Sequence, residues 1–150
     1  MGARPQEEAG GVKVEQIASH SLSVERSRFF AVLVPLATPE GIEAIIRARR
    51  GEIRRANHHC WAYRLPGPDG SVLEKAKDDG EVGHPGRVLL EVLRKHEIEG
   101  ALVVSRIFGG VKLGVGGVAR AFREAGEGAV AAFRTAHAAG PPKPGRGRTR

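Results

Sequence analysis

The chain has 150 residues, a formal net charge of +7 and 41% hydrophobic residues. This length fits one domain with a single core, and no apolar run approaches the roughly eighteen residues that cross a bilayer. The N-terminus lacks the apolar region of a secretory signal, and Cys60 is the single cysteine, which excludes an intrachain disulfide. We therefore predict a cytoplasmic protein with no membrane partner, whose basic character suits polyanions such as RNA.

The ends of the chain differ in composition from its middle. Residues 1–11 are rich in glycine, proline and charge, which predicts a flexible leader. Residues 12–138 are predicted to form a single domain. A disordered basic tail is predicted for residues 139–150, because Gly140-Pro141-Pro142 cannot continue a helix.

The first half of the domain predicts two strands and a helix. Residues 12–24 alternate enough for an edge strand, and the nearly continuous apolar run of residues 28–35 predicts an interior strand that ends at a proline. Residues 38–40, Thr-Pro-Glu, are typical of a helix start. A helical stripe follows at Ile42, Ile45 and Ile46, and Gly51 is predicted to end this helix.

Residues 54–65 predict the next strand, whose two faces have different side chains. Strict alternation puts the larger set on one face: His59, Trp61, Tyr63 and Leu65. The other face receives His58, Cys60, Ala62 and Arg64. Cys60 and Ala62 are small enough to lie beneath a helix, which leaves the large aromatic residues to cover the opposite side or to meet a ligand.

An acidic segment lies within the loop predicted for residues 66–85, which is long for so small a domain. Asp78, Asp79, Glu81 and His84 are the residue types that hold a divalent cation or supply a general base. The same acids also cap helices and accept bonds from backbone amides. The spacing matches neither a zinc framework nor an EF-hand, so we assign no metal and no cofactor.

The second half predicts a helix over residues 87–96, a buried strand over 101–108 and a final helix that ends near His137. The first of these helices should face the core with Leu89, Val92 and Leu93. Gly126 and Gly128 each cost about 1 kcal/mol relative to alanine inside a helix, so we predict that another segment passes close to them.

A glycine-rich segment joins the last predicted strand to the last predicted helix. Its glycines are Gly109, Gly110, Gly114, Gly116 and Gly117. Glycines accept positive φ and expose backbone N–H groups, and the following helix adds the positive end of its dipole. With Arg106, Lys112 and Arg120, these residues predict an anion site, for which phosphate is the expected ligand. The alternative is that they only permit a tight turn and close packing of the helix on the sheet, because the segment matches neither the phosphate-loop nor the dinucleotide fingerprint.

Four segments in this order resemble the IMPACT/YigZ family of small cytoplasmic proteins. They are residues 27–31 (SRFFA), 56–64 (ANHHCWAYR), 78–81 (DDGE) and 106–122 (RIFGGVKLGVGGVARAF). The resemblance implies an α+β fold similar to the second domain of a small-subunit ribosomal protein. In that fold, a mixed sheet has its helices packed on one face and contains a left-handed βαβ crossover, against the usual rule.

The resemblance also carries functional expectations. It spans roughly residues 14–133, the signature N-terminal domain of the family, and we expect no additional domain in this chain. The family's eukaryotic relative acts in translational control through a ribosome-associated protein, and its bacterial relatives are suspected of binding nucleic acid. The implied partners are RNA or a ribosome-associated protein, and the oligomeric state is left unassigned.

We consider three functions. The favoured one is a non-enzymatic RNA- or ribosome-associated module in which the glycine-rich segment binds phosphate and Trp61 or Tyr63 stacks on a base. The second is a hydrolase for a phosphate- or carboxylate-bearing substrate, with His58, Asp78, Asp79 and Glu81 meeting the glycine-rich segment in one cleft. The third is a protein-interaction domain, which requires an exposed apolar patch.

Overall fold

A computed structural model describes residues 11–139 of the chain. The predicted leader and tail lie, but for one residue each, outside this range. Within it, the strands are β1 (Val12–Lys13), β2 (Ala18–Val24), β3 (Ser27–Val34), β4 (His58–Pro66), β5 (Val72–Lys77) and β6 (Ile98–Ile107). The helices are α1 (Ile42–Glu52), α2 (Pro85–Lys95) and α3 (Gly114–Ala139).

The strands form one mixed sheet in the order β2-β3-β6-β4-β5, with β1 paired to the start of β6. All pairs are antiparallel except β1 with β6. The predicted interior strand is confirmed as β3. The predicted edge strand of residues 12–24 is divided in two: β2 lies at the edge of the sheet, whereas β1 pairs with β6. Because β3 and β4 are both antiparallel to β6, they run parallel to each other and are linked through α1. The left-handed crossover predicted for such a unit stays a prediction.

Helices cover both faces of this sheet. The α+β class is confirmed, and α2 and α3 pack on one face as predicted, over Cys60 and Ala62. Phe29 of β3 meets Phe122 of α3 edge to face, with ring centroids 5.2 Å apart. The expectation of helices on one face must be corrected for α1, which packs on the opposite face. The physical reason is that the central strands are apolar on both faces, so each face needs a cover.

The prediction of a long loop over residues 66–85 is wrong. Strand β5 lies inside it and pairs with β4 from Trp61↔Lys77 to Pro66↔Val72. This strand is exposed and carries Glu74, Lys75 and Lys77, as expected of an edge strand that charge protects from further pairing. Its polar composition resembles that of a loop. The acidic loop is therefore the short segment 78–84.

The close approach predicted at two glycines of α3 is confirmed. A Cβ atom on Gly128 would lie 2.1 Å from Cδ2 of His20 in β2, and one on Gly126 would lie 3.1 Å from Leu102 Cδ2 in β6. These glycines let α3 sit close to the sheet, which offsets their low helix propensity.

Candidate functional site

The glycine-rich segment is divided between a short loop and the first turn of α3. Helix α3 starts at Gly114, so Gly116 and Gly117 are helical and the loop proper is residues 108–113. Gly110 and Gly114 have φ of +90° and +76°, which favour glycine. A Cβ on Gly109 would lie 2.2 Å from the carbonyl carbon and oxygen of Arg26. The packing interpretation therefore holds for Gly109.

Two polar side chains attach the start of this loop to the sheet. Asn57 Oδ1 accepts the amide N–H of Phe108 at 2.7 Å, and Ser27 Oγ accepts that of Gly109 at 3.1 Å. These two amides are not available to a ligand. The sequence did not reveal these two contacts. Asn and Ser beside a strand are expected to bond to backbone groups, but the sequence does not show that the backbone group belongs to a segment far along the chain.

The rest of the segment faces solvent. Among residues 11–139, no group of another segment accepts a hydrogen bond from the amides of residues 110–116. Lys112 and Arg120 are exposed, and they line one cleft of about 370 Å³ with Gly117, Glu25 and Glu124. Two of the three predicted cations thus flank unpartnered amides, and the two carboxylates partly balance their charge.

Arg106, the third predicted cation, does not face an anion site. Its side chain is 6% exposed and its Nη1 lies 3.0 Å from Glu81 Oε2. Its Nη2 donates to Ser27 Oγ at 3.1 Å, and its guanidinium carbon lies 5.4 Å from the centre of the Phe29 ring. Arg106 sits on the buried central strand, where a charge needs an internal partner. Its role is to connect β3, β6 and the acidic loop.

The two aromatic residues predicted to stack on a base are buried. Trp61 and Tyr63 are each 7% exposed, and their rings stack on one another at 5.9 Å. They lie in the core beneath α1. This is the face of the sheet on which no helix was predicted. The exposed aromatic residue beside the glycines is Phe108, at 47%.

The acids of the 78–84 loop bind backbone amides. Asp78 Oδ1 accepts from the Gly86 amide at 2.8 Å, at the start of α2, and Asp79 Oδ2 accepts from the His59 amide at 2.7 Å. Cys60 Sγ donates to the carbonyl oxygen of Asp78 at 3.1 Å, and burial raises the pKa of this thiol so that it stays protonated. The capping interpretation of these carboxylates is therefore the one that their contacts support.

His58 joins the acids of the 78–84 loop. Its Nδ1 lies 2.8 Å from the carbonyl oxygen of Asp79, and its Nε2 lies 3.8 Å from Glu81 Oε1. Of the residues between 11 and 139, those lining the Lys112–Arg120 cleft include none of His58, Asp78, Asp79 and Glu81. No group of three or more His, Cys, Asp or Glu side chains in the same range is placed to hold a metal ion. The hydrolase hypothesis therefore stays a prediction.

His59 makes a buried contact with the central strand. Its Nδ1 lies 2.7 Å from Ser105 Oγ, and the residue is 6% exposed. Burial lowers the pKa of His59 below its ordinary value of 6.5, although the negative charge of Asp79 opposes this. The folded protein therefore keeps this imidazole neutral at a pH where the unfolded chain protonates it.

This difference predicts a stability change in mildly acidic solution. Below pH 6.5 the unfolded state binds a proton that the folded state does not, so the free energy of unfolding should fall by at most about 1.4 kcal/mol per pH unit. His59→Gln should flatten this slope in urea unfolding between pH 7 and pH 5. Equal slopes for the parent and His59→Gln would contradict the assignment.

Comparison with known proteins identifies the domain. The Impact N-terminal domain family matches residues 25–130. The chain belongs to the IMPACT family. It is 36% identical over 111 residues to the IMPACT family member YvyE of Bacillus subtilis (strain 168), covering 73% of this chain and 50% of YvyE. It is 32% identical over 112 residues to Protein IMPACT of Homo sapiens, covering 69% of this chain and 34% of that protein. The chain spans about half the length of the bacterial relatives that it matches.

A solved structure described as a two-domain translational regulator, Yih1, also resembles this IMPACT domain. It has a TM-score of 0.52 and 26% identity, and the match covers 79% of this chain and 48% of that one. A crystal structure of a hypothetical protein matches with a TM-score of 0.69 and 32% identity, over 79% of this chain and 57% of that one. None of the helices described here has the length and apolar character needed to cross a membrane.

Proposed function

We propose that this IMPACT domain acts in the regulation of translation as a cytoplasmic, non-enzymatic module that contacts RNA through residues 108–120. The observation that carries the proposal is the exposed segment 110–116, whose amides have no partner elsewhere in residues 11–139. Lys112, within this segment, and Arg120 line the same cleft. Family membership and the likeness to a translational regulator support the setting.

The chemistry of this surface suits a phosphate. The amides at the start of α3 coincide with the positive end of the dipole of a 26-residue helix. Lys112 and Arg120 would add positive charge. The ring available to stack on an unpaired base is that of Phe108, because Trp61 and Tyr63 are buried. Because Glu25 and Glu124 line the same cleft, we expect moderate, salt-sensitive affinity.

A second candidate, a protein partner at the ribosome, is favoured by apolar groups on the same surface. Val115 is 61% exposed and Val82 is 52% exposed. They belong to neighbouring segments, because a Cβ on Gly83 would lie 3.0 Å from the carbonyl oxygen of Val115. A protein contact built on these side chains would be nearly indifferent to salt, whereas phosphate binding would not.

The double variant Lys112→Ala/Arg120→Ala tests the RNA proposal. It should bind a structured RNA about tenfold more weakly, and the slope of log K against log salt should become shallower by about 0.7–0.9 for each phosphate that the protein no longer neutralises. Fluorescence anisotropy at two or more salt concentrations measures both quantities.

The matched control is Arg47→Ala/Arg50→Ala, which removes two exposed cations from α1 on the other face of the sheet. It should bind RNA nearly as the parent does. If the two double variants weaken binding equally, the affinity comes from general positive charge and the 108–120 surface is not the site. If Val115→Ser abolishes a salt-insensitive interaction with ribosomes while RNA binding is absent, the protein-partner candidate replaces the RNA proposal.

A further inference from the structure

The face of the sheet that carries α1 is only partly covered. Neighbouring strands lie about 4.8 Å apart and a helix is about 10 Å across, so one helix covers about two strands. Helix α1 packs over β4, β6 and the side of β3 that faces β6. The opposite face has two helices, α2 and α3. The edge strand β2 and the side of β3 that faces β2 therefore have no helix above them on this face of the sheet.

A groove of about 1020 Å³ occupies this uncovered area. Its floor is apolar and comes from Phe30, Val32 and Val34 of β3, and its wall is formed by Ile45 and Ala48 of α1. At one end of the groove lies Ile17, which is 68% exposed. The groove thus has the apolar composition of a packing surface between a sheet and a helix.

The geometry favours a helix rather than an added strand as the occupant. Strand β2 presents the small side chains of Ser19 and Ser21 to the groove, which leaves space above the sheet beside α1. A strand that paired with the edge of β2 would extend the sheet sideways and leave that space unfilled. A second helix beside α1 would complete the layer.

The charges around the groove specify the partner further. The guanidinium of Arg28 lies 4.8 Å above the Phe30 ring. Arg49 lines the groove as well, but its Nη1 is already paired with Glu52 Oε1 at 2.6 Å. Arg28 has no carboxylate partner among residues 11–139, so a carboxylate on an incoming helix would have a cation to pair with beside Phe30.

We propose that this groove docks an amphipathic helix of a partner protein, one with an apolar stripe and acidic residues along its flank. This interaction is separate from the RNA surface of residues 108–120, which lies at the start of α3. The groove supplies the apolar contact, and Arg28 supplies orientation and preference for acidic flanks.

The test uses two synthetic helical peptides of about 18 residues, five turns, with the same leucine stripe and either glutamate or lysine flanks. Titrated into isotopically labelled protein, the glutamate peptide should shift the amide resonances of Ser21, Val32 and Ile45. It should bind at least about tenfold more tightly than the lysine peptide. Ala48→Glu should abolish binding, whereas Ala44→Glu, on the same helix but outside the groove lining, should not.

Several results would overturn the proposal. They are no binding of the glutamate peptide, equal binding of both peptides, or shifts confined to residues 108–120. Self-association of the protein without peptide, abolished in Ala48→Glu, would instead assign the groove to a second copy of the chain. Ala48 is exposed, so thermal unfolding of Ala48→Glu should match the parent. Ala48→Glu should bind RNA as the parent does. The docking proposal and the RNA proposal can then be accepted or rejected separately.

Discussion

Replacing Glu81 with alanine should lower the free energy of unfolding by about 3–5 kcal/mol, because it leaves the buried charge of Arg106 without its partner. The two side chains are 5% and 6% exposed and lie 3.0 Å apart. Glu81 Oε1 also accepts the Val82 amide at 3.0 Å. One carboxylate therefore ties the acidic loop to β6, and urea denaturation of the purified domain measures the effect of removing it.

Two controls separate the buried pair from carboxylate removal in general. Glu52→Ala breaks the pair of Arg49 with a carboxylate that is 63% exposed, and it should change stability by less than about 1 kcal/mol. Glu81→Gln combined with Arg106→Met removes both charges and should recover much of the stability. If Glu81→Ala is no more harmful than Glu52→Ala, the Glu81–Arg106 pair is not a structural link.

Gly109→Ala should destabilise the domain by about 1–3 kcal/mol and weaken RNA binding as well. The added Cβ would lie 2.2 Å from the carbonyl carbon and oxygen of Arg26, and a backbone group cannot rotate away as a side chain can. Relief requires movement of the loop that carries Phe108, whose amide is attached to Asn57. Urea unfolding and RNA anisotropy on the same preparation measure the two effects.

Gly116→Ala is the matched control for this substitution. No neighbouring atom lies within 4 Å of the position where its Cβ would be, and the residue is helical, so alanine should stabilise the domain by up to about 1 kcal/mol. Similar destabilisation by Gly109→Ala and Gly116→Ala would mean that the segment is sensitive to any side chain, and the specific contact with Arg26 would not be the cause.

Much of the fold is readable from local periodicity. The apolar run of β6 and the helical stripe of α3, from Val118 to Phe133, predict buried elements, and both are buried. The alternation along β4 correctly separates Cys60 and Ala62 from Trp61 and Tyr63. Strand β5 was missed because its exposed edge carries charges, and a short polar strand has no apolar pattern to reveal it.

The candidate site was predicted only in part. The segment with Lys112 and Arg120 is exposed as expected, since glycines and cations between two apolar elements favour a surface position. Arg106 has the same chemistry in sequence, but its surroundings are set by Glu81, Ser27 and Phe29, which other parts of the chain bring to it.

The order and type of residues were sufficient to establish the α+β class, the family, the central strand and the glycine-rich turn into a long helix, because each depends on neighbours a few positions apart or on a recognisable motif. The burial of Trp61 beneath α1, the inward turn of Arg106 and the open groove beside β2 depend on which distant segments meet. Such contacts follow from the packing of whole layers against one another, and no local pattern records them.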